Sequence, residues 1–154
     1  MTVDVVEAVY RAHGARIERA LIASFGDTGL AGDATAQAFV ELLGHRGVVR
    51  DPAAWVWRTA HAIARGLATT RAVTYGLMPP DDGEPDAGDL IDVLAALQEL
   101  SPMQRHAVVL HHYAGWPVRD IAEALGSSTS AVKVHLFRAR SRLRSALEEV
   151  LTDG

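Results

Sequence analysis

The chain has 154 residues, 49% of them apolar and 22% charged, with a formal net charge of −4 and no cysteine. That length allows one compact domain or two small ones, and the missing cysteine excludes disulfides, thiolate metal sites and cysteine nucleophiles. Met1 to Tyr10 carries acids, and nowhere does the chain reach the roughly 18 uninterrupted apolar residues of a membrane span, so a soluble, cytoplasmic protein without membrane contact is expected.

The first 75 residues read as helical throughout, because apolar residues recur at helical spacing and no alternating strand pattern appears. Val6, Tyr10, Ile17 and Leu21 mark one helix. Asp33 is placed to cap a second that carries Phe39, Val40, Leu42 and Leu43, and Pro52 opens a third with Trp55, Ile63 and Leu67. Trp55 and Trp57 stand two apart and cannot share a helical face; Trp55 is expected in the core and Trp57 exposed, as a partner contact.

The negative charge is concentrated in the middle of the chain. Residues 1–75 hold eight Lys/Arg against seven Asp/Glu, residues 76–100 none against seven, and residues 101–154 seven against five. The stretch from Gly76 to Gly88 has the prolines, glycines and acids of a tether, and Asp89 is placed to cap a helix running to Leu100. The expected organisation is a helical domain over 1–75, an acidic linker over 76–88 and a second helical domain over 89–154.

That second domain reads as a helix-turn-helix. Ser101-Pro102 is a helix start, Met103 to Ala114 supply a helical run, and Gly115 ends it. Pro117 opens Val118 to Leu125, and Gly126 closes it in the left-handed cap position. Ser127 to Ser130 make a polar turn before a longer helix from Ala131, whose Val132, Leu136, Ala139, Leu143 and Leu147 form one buried stripe. Beside the stripe lie Lys133, Arg140 and Arg144, and Arg138 and Arg142 project from the far side, with no acid between Ala124 and Leu147. An anchored helix after a tight turn, flanked by cations, is what docking in the major groove of DNA needs.

Enzyme readings find no support: there is no glycine-rich phosphate loop and no Gly-x-Ser-x-Gly elbow, and no cofactor is implied. His106, His111 and His112 invite a metal. Adjacent His111 and His112 diverge by about 100° around the helix, however, and lack a His-Glu-x-x-His arrangement, so no metal site is expected.

Leu100 to Arg105, Gly115, Asp120-Ile121-Ala122-Glu123-Ala124-Leu125-Gly126, Ala131-Val132-Lys133 and Leu136-Phe137-Arg138-Ala139-Arg140 with Leu143-Arg144 resemble region 4 of the extracytoplasmic-function (ECF) sigma factors. Tyr10-Arg11-Ala12-His13, Gly32-Asp33-Ala34 with Ala38-Phe39, and Trp55 to Ala60 resemble their region 2. The resemblance implies an all-α fold of two small helical domains: a three- to four-helix bundle and a helix-turn-helix. It also implies core RNA polymerase and promoter DNA as partners, with an anti-sigma factor as a further one. Ser128, Ser130, Lys133, His135 and Arg138 would meet the −35 element, with Arg140, Arg142 and Arg144 on phosphates. Arg58, His61 and Arg65 would face the −10 element, and Asp33 and Gln37 the polymerase.

Departures from the pattern matter too. The family usually has acids and a glutamine where this chain has Gly32, Ala36 and Gln37, and a dense basic run where it has His61, Ala62, Arg65, Gly66 and Arg71, with only Arg58, Arg65 and Arg71 cationic. Promoter opening and polymerase binding are expected to be weaker for it. Val132-Lys133-Val134-His135-Leu136 is also similar to the recognition helix of LuxR-type regulators, so a DNA-binding regulator that does not initiate stays open, as does a protein-interaction module paired with an anti-sigma partner. In the family the segment between the two domains runs through the polymerase near the active centre, where carboxylates can occupy basic channels; by composition alone it is a tether.

Overall fold

The computed structural model describes residues 1–75 and 88–153, with side chains described over 1–71 and 93–146. The tether expected before Gly88 lies outside the described residues, as do the side chains of Asp89 and Leu147. Among the described residues there is no strand, and the chain divides into two compact units, Met1–Pro80 and Asp81–Gly154.

In the first unit α1 (Val3–Phe25), α2 (Thr28–Gly44) and α3 (Pro52–Tyr75) pack against one another. Thr2 caps α1, and Gly26 ends it at φ 69°, a left-handed conformation that glycine adopts without a Cβ penalty. One residue later Asp27 caps α2, its Oδ1 accepting from the Leu30 amide at 2.9 Å. Asp33, expected as that cap, therefore lies inside the helix. Both aspartates follow a glycine, Gly26 and Gly32, but Gly26 takes the left-handed φ of 69° that ends α1 and reverses the chain, whereas Gly32 continues α2.

The seam between the helices is built from small side chains. Ala31, Ala34 and Ala38 of α2 and Ala60 and Ala64 of α3 have no exposed surface, and Leu42, Val56 and Ile17 fill the space around them. The buried face of α3 is thus Val56, Trp57, Ala60, His61 and Ala64, one residue out of phase with the expected line of Trp55, Ile63 and Leu67, which are half-buried at its flank. This overturns the reading of the tryptophans. Trp57 is in the core, its indole N–H donating to His13 Nδ1 at 3.4 Å, and half-buried Trp55 lies beside the His45 ring at 5.2 Å.

The second unit holds α4 (Gly88–Gln98), α5 (Pro102–Val108) with a π turn over Val109–Tyr113, α6 (Val118–Ala124) and α7 (Thr129–Asp153). α4 begins at Gly88, one residue ahead of the expected Asp89 cap. α7 is the central element, packed on α4, α5 and α6 through Val132, Leu136 and Ala139. Among the described residues, no helix is long and apolar enough to cross a membrane.

Candidate nucleic-acid interface

The second unit holds α7 in place through its short helices. α5 opens with a reciprocal capping box: Ser101 Oγ accepts from the Gln104 amide and Gln104 Oε1 accepts from the Ser101 amide, both at 3.3 Å. The same buried Oε1 accepts from Arg142 Nη1 at 3.3 Å, tying the start of α5 to the middle of α7. Arg105 donates from Nε to the Leu97 carbonyl (3.0 Å) and from Nη2 to that of Leu100 (3.2 Å), satisfying acceptors left at the end of α4. Burial pushes the Arg105 pKa below its ordinary value.

Past Val108 the helix widens by one residue: Ala114 N–H donates to the Val109 carbonyl at 3.0 Å and Trp116 N–H to that of Leu110 at 2.9 Å. Gly115, at φ 77°, then turns the chain into α6. His111 Nδ1 sits 3.0 Å from the Trp116 carbonyl, and His112 Nε2 accepts from Arg140 Nε at 3.1 Å. Burial first, then the charges of Arg140 and His111, lower the His112 pKa, which favours the neutral ring that can accept this bond.

α6 ends in a Schellman motif. Ser127 N–H reaches the Ala122 carbonyl at 2.8 Å and Gly126 N–H that of Glu123 at 3.3 Å, with Gly126 at φ 63°. Ser128 then caps α7, its Oγ accepting from the Ala131 amide at 3.1 Å. Helix, the four-residue turn over 125–128 and helix succeed one another without a spare residue, so α7 is aimed by α6 rather than by a loose loop.

On α7 the expected residues divide. Ser130, Lys133, Arg138, Arg140, Arg142 and Arg144 are all exposed, and no acid interrupts them from Thr129 to Ala146. Arg140 and Arg142 lean back onto His112 and Gln104. Ser128 is exposed as well, with its hydroxyl engaged as the cap, whereas His135 is half-buried with Nδ1 enclosed and without a hydrogen-bond partner, so it does not point outward as the other expected −35 residues do. The reading of the sequence missed Val134 and Phe137, exposed on the same helix; their signal is that they fall outside the apolar stripe.

In the first unit Asp33 and Gln37 are exposed on α2. Asp33 pairs with Arg71 Nη2 at 3.1 Å, and Arg71 Nη1 also meets Asp27 Oδ2 at 2.9 Å, so that arginine is clamped between two carboxylates. Gln37 donates to Glu41 at 3.3 Å. On α3, Arg58 and Arg65 are exposed seven residues apart, on one face. His61, expected beside them at the −10 element, is buried against Phe25, ring centroids 5.7 Å apart, because it shares the face of Trp57 and Ala64. Among the described residues, no three His, Cys, Asp or Glu side chains are grouped to hold a metal.

Residues 90–143, which contain this helix-turn-helix, match the family model for sigma-70, region 4. The ECF RNA polymerase sigma factor SigG of Mycobacterium tuberculosis is 46% identical over 52 residues, 34% of this chain and 14% of that protein. The chain thus spans far less than two thirds of that relative. The RNA polymerase sigma factor CarQ of Myxococcus xanthus is 27% identical over 161 aligned positions, covering 96% of this chain and 91% of that protein. In fold, the sigma factor RpoE from Bartonella quintana, solved in complex with the anti-sigma factor NepR, aligns with a TM-score of 0.78 at 20% identity, over 95% of this chain and 98% of that chain. The second unit thus carries the match to sigma-70, region 4, and along nearly its whole length the chain is similar to RNA polymerase sigma factors.

Proposed function

We propose that this protein is an ECF-type sigma factor: it binds core RNA polymerase and directs initiation by recognising the −35 and −10 elements of a promoter. The observation that carries this reading is α7, a helix anchored on three neighbours that exposes Ser130, Lys133, Arg138, Arg140, Arg142 and Arg144 with no intervening acid. A duplex places a negative charge about every 1.7 Å of its axis, so such a face gains affinity by releasing counterions while side chains near the start of the helix reach base edges.

In this reading residues 1–75 form the polymerase- and −10-facing domain, 76–88 the linker and 89–154 the −35-facing domain. Asp33 and Gln37 face the polymerase, and Arg58 and Arg65 the −10 strand. The protein works in the cytoplasm without catalytic chemistry of its own, and an anti-sigma factor is a further partner, as NepR is bound to RpoE in the complex above.

One observation favours a second reading, a regulator that binds duplex DNA without initiating. With His61 buried and Arg71 paired to Asp27 and Asp33, the exposed cations of α3 among the described side chains are Arg58 and Arg65. Holding an extruded base costs a few kcal/mol that such a surface must offset. Run-off transcription with core polymerase on a library of promoter sequences decides between them: transcripts that depend on the protein support initiation. Sequence-selective duplex binding without transcripts leaves the regulator.

A further inference from the structure

α7 carries two apolar side chains at the centre of its cationic face. Val134 is 46% exposed and Phe137 70%. Three residues apart, they adjoin on the helix surface. At about 100° per residue they lie opposite the buried line of Val132, Leu136 and Ala139, together with Ser130 and Ser141. Lys133 and Arg144 border them on one side and Arg138 on the other. Among the described side chains of this unit, the other exposed large apolar ones, Val93 and Tyr113, belong to different elements.

In a helix lying in the major groove, the residues farthest from the helix's own core come nearest the base edges. Three of the four bases present only donors and acceptors there, whereas thymine adds a C5-methyl group. Valine can neither donate nor accept. Against cytosine it would leave the N4 amino group without a partner, and against thymine it removes a methyl from water. We propose that Val134, with the Phe137 ring as a second wall, packs on a thymine methyl and makes Val134 a specificity-determining residue. This rests on the reading that α7 enters the major groove, and the charge around the pair favours DNA as its occupant over a second apolar protein surface.

The test uses random duplexes prepared once with thymidine and once with deoxyuridine, which keeps base pairing and removes only the methyl. The full chain, alone and with core RNA polymerase, selects from the thymidine pool, and each selected site is then compared with its deoxyuridine copies. Burial of one methyl corresponds to about a four-fold change in affinity, expected at one or two positions. Val134→Ser abolishes that ratio, and Val134→Thr, which keeps one methyl, retains it. Lys133→Ala weakens both copies alike. Equal affinity of the unaltered chain for both copies, with Lys133→Ala still weakening them, overturns the methyl contact and leaves α7 as the reader. Selection indifferent to Lys133→Ala and Arg138→Ala overturns both, and assigns the apolar pair to a protein partner.

Discussion

Arg71→Ala separates the stability of the first unit from its proposed contact with the polymerase. The guanidinium bridges Asp27, which also caps α2, and Asp33, and so fastens α3 to the start and middle of α2. Its side chain and that of Asp27 are one-third exposed, whereas Asp33 is 70% exposed. Exposed ion pairs contribute a few tenths of a kcal/mol and better-shielded ones more, so losing both should cost about 1 kcal/mol, most of it from Asp27. For a unit of this size that lowers the melting temperature by about 4–8 °C. Urea unfolding followed by fluorescence, in a Trp116→Phe background that leaves Trp55 and Trp57 as reporters, measures it. Asp27→Asn keeps an oxygen for the cap and so isolates the ion pair in a double-mutant cycle with Arg71→Ala. If Asp27→Asn costs the same with and without Arg71, the clamp has no energetic weight and the reasoning fails. The binding readout has the opposite sign. Freed from Arg71, Asp33 should bind core polymerase more tightly, whereas Asp33→Ala should bind it more weakly.

Trp57→Ala should destabilise the first unit by about 3–5 kcal/mol and Trp55→Ala by much less, read as thermal melts, because only Trp57 is fully packed. Gly126→Ala should cost the second unit about 1 kcal/mol in the same assay: space is open around it, but φ 63° is unfavourable for any residue with a Cβ. Lys133→Ala and Arg138→Ala should each weaken sequence-selective DNA binding by about 1–3 kcal/mol at fixed salt, with the melting temperature unchanged. The His112 pKa is lowered in the folded state, so the unfolded chain takes up this proton first as pH falls; its stabilising contribution is complete above the ordinary value of 6.5 and is lost as pH falls through its lower folded value. Urea titrations across that window, with and without His112→Phe, should show a slope that only the unaltered chain has.

The second unit is more legible in the sequence than the first, for a physical reason. Its boundaries are set by residues with narrow backbone preferences: Ser101-Pro102, Gly115, Pro117 and Gly126 all do in the structure what their chemistry dictates. Its core stripe is made of Val132, Leu136 and Ala139 at regular spacing. The first unit is held by alanines. Ala60 and Ala64 weigh little in a periodicity reading, yet they allow α3 its close approach, and that seam turns Trp57 and His61 inward. Periodicity takes its phase instead from the bulkier Trp55, Ile63 and Leu67, about 100° away. At the candidate interface the cations of α7 are legible because charge on one side of an amphipathic helix is a local pattern. The clamp on Arg71 and the anchoring of Arg140 and Arg142 join residues 28 to 44 positions apart, and nothing local announces them.

The π turn at Val109–Tyr113 makes chain length, rather than residue identity, the quantity that aims the helix-turn-helix. A π turn holds one residue more than an α turn, and each added residue rotates everything after it by about 100°. Upstream, Gln104, through Arg142 of α7, and Arg105, through the carbonyls at the end of α4, hold α5 against its neighbours, so the rotation is borne downstream, by Gly115, α6 and the approach to α7. Deleting a single residue between Val109 and Tyr113 would give a regular helix with every local preference satisfied. It would also swing His112 away from Arg140 and enter α6 in the wrong direction, leaving a well-formed helix attached to a misaimed reader.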